Sequence, residues 1–269
     1  MPTESDTAGQ CIEDREADEG DRQFVTALAR GLDILGCFRH GDRYLSNQEI
    51  ARRTQLARPT VSRLTHTLTR TGHLVRDGNN NEYRLGGRVL QMGLHLLSNS
   101  DVRERFLAEV EGMNCGPNSY VTVALAERAG TRAVYLASSQ PRDAIALSIG
   151  VGAQLPLFYS GIGRAILVGM GETERNRVLA EACNEFPDHR TRMERSIADA
   201  LNDYATFGYC TSFGAWKPEI TSIAAPCRSL DGRTVYGVNI GGPTFLVSGE
   251  QLHTHYGQRL LEFISRIGL

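Results

Sequence analysis

Apolar residues recur along this chain at spacings that change with position. Val25, Leu28, Leu32 and Leu35 fall at helical intervals within Phe24 to Phe38 and predict a helix that packs behind the next segment and completes a small core. Gly86 to Asn99 is apolar at 89, 90, 92, 94, 96 and 97, too many positions for one face against one domain, so a linker helix that also joins a dimer contact is expected there. Beyond it, a helix over Val102 to Glu111 gives way to strand candidates at Tyr120 to Ala126, Ala133 to Ser138 and Ile145 to Ile149. Helices follow at Gly161 to Met170, Thr173 to Asn184 and Arg190 to Phe207. Strands return at Gly208 to Ser212, Ser222 to Arg228 and Thr234 to Gly241, before a closing helix from Ser248 to Ile267. Hairpin-like spacing without regular βαβ crossovers predicts a largely antiparallel sheet flanked by helices, an α+β domain able to cup a small molecule.

The stretch Leu45 to Leu85 carries the densest local signals. Ser46 and Glu49 form an S-x-x-E capping box, in which the hydroxyl caps a first-turn amide and the carboxylate reaches back to the cap, so a helix starts at Ser46 and ends near Thr54. After a turn over Gln55 to Arg58, Pro59 suits the first position of a second helix, which runs to about Thr71 and stops at Gly72. Val61, Leu64 and Leu68 make its inner stripe and leave Thr60, Ser62, Arg63, His66, Thr67 and Arg70 outward. His73 to Arg76 and Glu82 to Leu85 then read as two strands of a wing, joined by Asp77, Gly78, Asn79, Asn80 and Asn81.

A helix-turn-helix with a hairpin can also serve as a protein-interaction module, and here charge decides. Six Arg (52, 53, 58, 63, 70 and 76) stand against one acid, Glu49, between Ser46 and Arg76, a one-signed pair of helices that repels itself unless it meets phosphate. The formal net charge of -2 conceals this, because residues 1 to 22 carry -6, residues 23 to 100 carry +6 and residues 101 to 269 carry -2. The candidate DNA-binding set is Ser46, Arg58, Pro59, Thr60, Ser62, Arg63, His66, Thr67 and Arg70, with Arg76 and Arg84 on the wing.

Residues 1 to 22 are acidic and aperiodic and read as a disordered tail. The six cysteines (11, 37, 115, 183, 210 and 227) lie far apart without C-x-x-C or a Cys/His cluster, which argues against a zinc site or disulfide scaffold and for a reducing, cytoplasmic compartment. No cofactor or metal is expected, since His253 and His255 sit two apart on a helix and point to different faces. No signal peptide opens the chain, and the uncharged stretch 144 to 163 holds too many Gly for a membrane helix. Gly161-Ile162-Gly163-Arg164-Ala165-Ile166 matches only the first half of a dinucleotide fingerprint, and no nucleotide, nucleophile-elbow or metalloprotease motif is present, so an enzyme reading has no constellation behind it. The same segment does favour a ligand: the helix opening at Ser160 to Gly163 turns free amides, a hydroxyl and the positive end of the dipole toward one point, which suits a carboxylate. Trp216, Phe213 and Tyr209 are candidates for an apolar or stacking wall beside it.

Together these segments resemble the isocitrate-lyase-regulator (IclR) type transcription factors of bacteria, from about Phe24 to Gly268. The carriers are FVTALARGLDIL, the helix-turn-helix LSNQEIARRTQLARPTVSRLTHTLTRTGHL, YRLGGRVLQMG, LPLFYSGIGRAIL, GYCTSFGAWKPEITSIAAPC and GVNIGGP. The resemblance implies a winged helix-turn-helix over 23 to 85, a linker helix over 86 to 100, and an effector-binding domain over 101 to 269 with a GAF-like or PAS-like sheet. It also implies a homodimer or dimer of dimers on an inverted-repeat operator in double-stranded DNA, away from membranes, acting as repressor or activator on neighbouring catabolic genes. The effector, a small organic acid with aromatic acids among the candidates, is implied to meet Leu147, Ser160, Gly161, Ile162, Cys210, Thr211, Ser212, Trp216, Ser222, Ala224, Asn239 and Gly241. Ser212 and Ser222 stand where an acid and a cysteine occur in some members, and Arg164 replaces a frequent Lys, changes that bear on the ligand and not on the fold. The alternative reading is a DNA-binding redox sensor using Cys210 or Cys227, and a weaker one an enzyme built on the C-terminal domain.

Overall fold

The computed structural model describes residues 23–39, 41–78, 80–113, 117–139 and 149–268. The expected tail, Leu147 and most of the strand expected at Ile145 to Ile149 lie outside the described residues. The chain divides into two compact units, 1–96 and 97–269.

In the first unit α1 (Thr26–Gly36), α2 (Asn47–Thr54) and α3 (Arg58–Arg70) surround Ile34, Ile50, Leu56, Val61 and Leu74. Strands β1 (Leu45–Ser46), β2 (Leu74–Arg76) and β3 (Glu82–Leu85) form a small antiparallel sheet in the order β1-β3-β2, β1 being too short to announce itself in the sequence. Gly72 stops α3 in the left-handed conformation at φ 76°, and the bonds His73 N to Leu68 O (2.8 Å) and Gly72 N to Thr69 O (3.1 Å) close a Schellman motif that turns the chain into the wing.

Two expectations change here. The stripe Val25, Leu28 and Leu32 is 61, 62 and 58 % exposed; α1 instead buries Gly31 and Ile34, with Leu35 packed against the core. Helical period identified an apolar face, and the core took the neighbouring one. The capping box is half made: Ser46 Oγ accepts from Glu49 N at 3.2 Å, while the Glu49 carboxylate turns to Arg52 and Arg53. Two guanidiniums outcompete one backbone amide for a carboxylate.

Arg53 is consequently not part of an outward basic face. Its side chain donates to Asp42, to Glu49 Oε1 at 2.7 Å and to the Cys37 carbonyl at 3.0 Å, tying α2 to the loop that follows α1. The hydrogen bonds from Arg52 and Arg53 hold the Glu49 carboxyl down at about 2, and Arg53 holds Asp42 below its ordinary value.

The second unit is built on a six-stranded antiparallel sheet in the order β6-β5-β4-β9-β8-β7, formed by β4 (Thr122–Ala129), β5 (Arg132–Ser138), β6 (Gln154–Pro156), β7 (Cys210–Phe213), β8 (Ile220–Arg228) and β9 (Val235–Pro243). Before it, α4 (Gly87–Ser98) spans the division between the units and buries no residue. One sheet face, with Val123, Leu125, Ile223, Val238 and Ile240, packs on α5 (Asp101–Met113) and α10 (Gly257–Ile267). The expected closing helix runs unbroken from its cap at Ser248 to Ile267, with α9 (Gly249–Gln251) passing through a π-helical turn (Leu252–Tyr256) into α10. The other sheet face, with Ala124, Ala126 and Tyr135, carries α6 (Gly161–Gly169), α7 (Glu172–Glu185) and α8 (Arg190–Phe207). Small residues on that face let α6 approach closely, and a Cβ added at Gly237 would lie 2.6 Å from the Ile162 carbonyl.

Asp42→Asn should destabilise the first unit by about 1–3 kcal/mol, because it removes a charge-assisted partner of Arg53. With their folded-state values depressed, Glu49 and Asp42 contribute stability that is present above their ordinary values and lost as pH falls from about 4.5 toward about 2. Denaturant melts of both proteins across that range check this: the wild type loses more than the variant on acidification, and parallel curves would contradict it.

Candidate functional site

The first unit presents α3 as a polar ridge. Arg58, Pro59, Ser62, Arg63, His66, Thr67 and Arg70 are exposed and Thr60 is half-buried, while Val61 and Thr65 face inward. Arg63, His66 and Arg70, at i, i+3 and i+7, stand at the centre of the exposed arc. Ser46 is half-buried as the cap of α2, a positioning role rather than a contacting one. On the wing, Arg76 and Arg84 are exposed; Arg76 donates to Asn81 Oδ1 and Arg84 to the Leu85 carbonyl at 3.2 Å. Of the six Arg counted between Ser46 and Arg76, Arg52 and Arg53 are engaged by Glu49, and the rest form the exposed basic surface.

In the second unit a cleft opens between the start of α6 and the α6-facing side of the sheet. Ser160, Gly161, Ile162, Ser212, Trp216, Ser222, Asn239 and Gly241 line it, joined by Thr122, Tyr135, Ile149, Leu155, Ile220, Thr221, Gly242 and Pro243. None of the sixteen is charged. Ser160 caps α6 by accepting from Gly163 N at 3.2 Å, which leaves the amides of Gly161 and Ile162 without an intrahelical acceptor. Ser222, 4 % exposed, places its Oγ 2.5 Å from where a Cβ on Gly161 would stand, and the neighbouring Thr221, which also lines the cleft, keeps a buried hydroxyl without a hydrogen-bond partner among the described residues. At the far side Tyr135 and Asn239 form a buried pair, Asn239 Nδ2 donating to the Tyr135 hydroxyl at 3.2 Å; burial pushes the Tyr135 phenol up to about 12.

Five expected residues fall elsewhere, among them Thr211, whose backbone and hydroxyl are held by Arg164 and Asp203. Cys210 and Ala224, register partners on β7 and β8, are fully buried one step beyond the cleft, with Cys210 Sγ against the Ala200 carbonyl of α8. Tyr209 belongs to the core on the opposite face, where its hydroxyl meets His253 Nδ1 at 2.8 Å, and Phe213 stacks edge-on against the same imidazole. Thr122 and Tyr135 were not expected. Register places Thr122 opposite Gly241 and carries the cleft face across β4 to β5, and only strand pairing reveals this. Burial pushes the thiols of Cys210 and Cys227 up to about 12, so neither is a thiolate at neutral pH and the redox reading loses its chemistry. Among the described residues no group of three His, Cys, Asp or Glu could hold a metal ion, and no helix is long and apolar enough to cross a membrane.

A winged helix-turn-helix with an arginine-bearing helix, in one chain with a sheet domain that holds an uncharged cleft, defines a DNA-binding regulator with a ligand-responsive domain. Comparison with known proteins gives the family: residues 27–78 match the IclR helix-turn-helix domain and residues 94–267 the bacterial transcriptional regulator IclR C-terminal domain. The chain belongs to the IclR family, DNA-binding transcriptional regulators with an effector-binding C-terminal domain, and not enzymes. It is 26 % identical to the Pca regulon regulatory protein of Pseudomonas putida over 248 residues, 90 % of this chain and 82 % of that one. An IclR family transcriptional regulator from Brucella abortus superposes with a TM-score of 0.81 at 36 % identity, covering 99 % of this chain and 98 % of that one. An IclR homolog complexed with 4-hydroxybenzoate, from Microbacterium hydrocarbonoxydans, shares the fold with a TM-score of 0.65 at 21 % identity, covering 90 % and 97 %.

Arg63→Ala should weaken specific operator binding by about 1–3 kcal/mol, the cost of losing a base-edge or essential phosphate contact. Gel-shift titration checks this, and unchanged affinity places Arg63 off the DNA. Loss of Arg76 or Arg84 should lower the salt dependence of binding by about one phosphate each.

Proposed function

We propose that this protein controls neighbouring catabolic genes from an inverted-repeat operator, and that a small organic acid held in the C-terminal cleft sets its affinity for that operator. The observation that carries the DNA part is the exposed arc of Arg63, His66 and Arg70 on α3. The acid is supported by the cleft itself: open amides at the positive end of α6, the Ser222 hydroxyl beside them, the unpartnered Thr221 hydroxyl and no acidic side chain in the lining. Ile149, Leu155, Ile162, Trp216, Ile220 and Pro243 offer an apolar slot for the body of the ligand, which fits an aromatic acid. The Microbacterium homolog's 4-hydroxybenzoate makes that compound the first probe.

Self-association is part of the proposal, because one recognition helix covers only a few base pairs and two-fold proteins read inverted repeats. Its support is exposed apolar surface: Leu28 and Leu32 on α1, and Leu90, Met92, Leu94 and Leu96 on α4 are each more than half exposed. A dimer or dimer of dimers would cover it.

Leu90→Glu with Leu94→Glu should convert the protein to monomers in light scattering, and the parent mass in the double variant would rule α4 out as the contact. For the cleft, Ser222→Ala is the cleaner substitution, since Gly161→Asp would also press on the Ser222 hydroxyl at 2.5 Å. Ser222→Ala should weaken the effector response by about 10-fold to 150-fold, the worth of one hydrogen bond to a charged group, and leave operator affinity unchanged. An unaltered response would put the carboxylate elsewhere.

A further inference from the structure

Among the described residues of the second unit Arg164 is the buried cation, only 9 % exposed, three residues along α6 from the cleft residue Gly161 and so ~4.5 Å further along the helix axis. Its Nε donates to Ser196 Oγ at 2.9 Å and its Nη1 to the Thr211 carbonyl at 2.7 Å, both neutral acceptors. Asp203, the nearby acid, accepts instead from Thr211 N (2.9 Å) and Thr211 Oγ1 (2.7 Å), so the arginine and the carboxylate hold opposite ends of one residue without meeting. Thr211 directly precedes Ser212, which lines the cleft. A guanidinium this deep is costly unless something compensates its charge, and neutral acceptors compensate it only in part.

We propose that Arg164 selects the charge of the effector: the ligand's carboxylate, seated at the Gly161 and Ile162 amides beside the Ser222 hydroxyl, is its missing counter-charge. This rests on the carboxylate reading above and adds to it a residue that does not touch the ligand. Field and dipole act in the same direction. The macrodipole of α6 places partial positive charge at the cleft, and the largely buried guanidinium in the second turn adds a full charge that water screens less than it would at the surface. Hydroxyls and amides alone would accept a neutral amide or alcohol of the same shape nearly as well as an acid. With Arg164 behind them, the cleft discriminates on charge although no charged side chain lines it.

Trp216 is the single tryptophan of the chain and lines the cleft, so its fluorescence reports occupancy directly. The probes are 4-hydroxybenzoate and benzoate against 4-hydroxybenzamide and benzamide, titrated into the full-length protein. Wild type should bind the acids more tightly than the amides. Arg164→Gln should bind the acids about tenfold more weakly and the amides unchanged, while Arg164→Lys keeps the preference. Ser196→Ala, which loosens the strut and leaves the charge, should change both classes together and keep their ratio. An undiminished acid preference in Arg164→Gln overturns the proposal, as does an equal loss of preference in Ser196→Ala, which would make the role one of packing. A wild type that melts normally and answers none of the acids would defeat the reading of the cleft and this inference with it.

Discussion

The close seating of α6 on the sheet is the constraint on which the second unit depends. Ala124, Ala126 and Gly237 remove the side chains that would hold the helix off, and the helix in return places its first turn against β8. That contact does two things at once. It buries Ile162, Ile166 and Leu167, and it aims the uncapped amides of Gly161 and Ile162 at a cleft walled by β4, β5, β8 and β9. The same packing that stabilises the domain therefore builds the polar floor of the site, and a side chain added at Gly161 would disturb both.

In the first unit the arginines divide by role. Arg53 is consumed by the fold, fastened to Asp42, Glu49 and the Cys37 carbonyl, whereas Arg58, Arg63 and Arg70 stay in solvent. The internal pairing resolves the repulsion that a count of charges suggests, and concentrates the remaining positive charge on α3 and the wing. Charge is thus sorted into a part that holds α2 in place and a part free to meet phosphate and base edges.

How far the sequence disclosed this follows from the range of the interactions. The cap at Ser46, the stop at Gly72 and the span of α8 depend on neighbours within a turn, and each stands where its local signal put it. The face that α1 buries depends on what its apolar stripe meets, so period alone assigned the stripe Val25, Leu28 and Leu32 to a core it does not enter. Tyr135 and Thr122 escaped for a similar reason, since register between β4, β5 and β9 places them beside Asn239 and Gly241 and no local pattern encodes it. The resemblance carried Cys210 and Ala224 too far along their strands, onto positions that α6 and α8 cover. The glycine-rich opening of α6 was readable because a cap, two glycines and a following apolar run are a local signal with a chemical meaning.

Under the proposed function, a ligand in the cleft and an operator on α3 favour or oppose each other by a single coupling free energy. The most direct test measures that coupling from both ends. Operator affinity is determined with and without saturating acid, and acid affinity, from Trp216 fluorescence, with and without saturating operator. The account predicts the same factor in both experiments, between about 5-fold and 150-fold for a coupling of ordinary size. A factor of one in each would leave the cleft and the DNA-binding helix as neighbours in sequence with no regulatory connection.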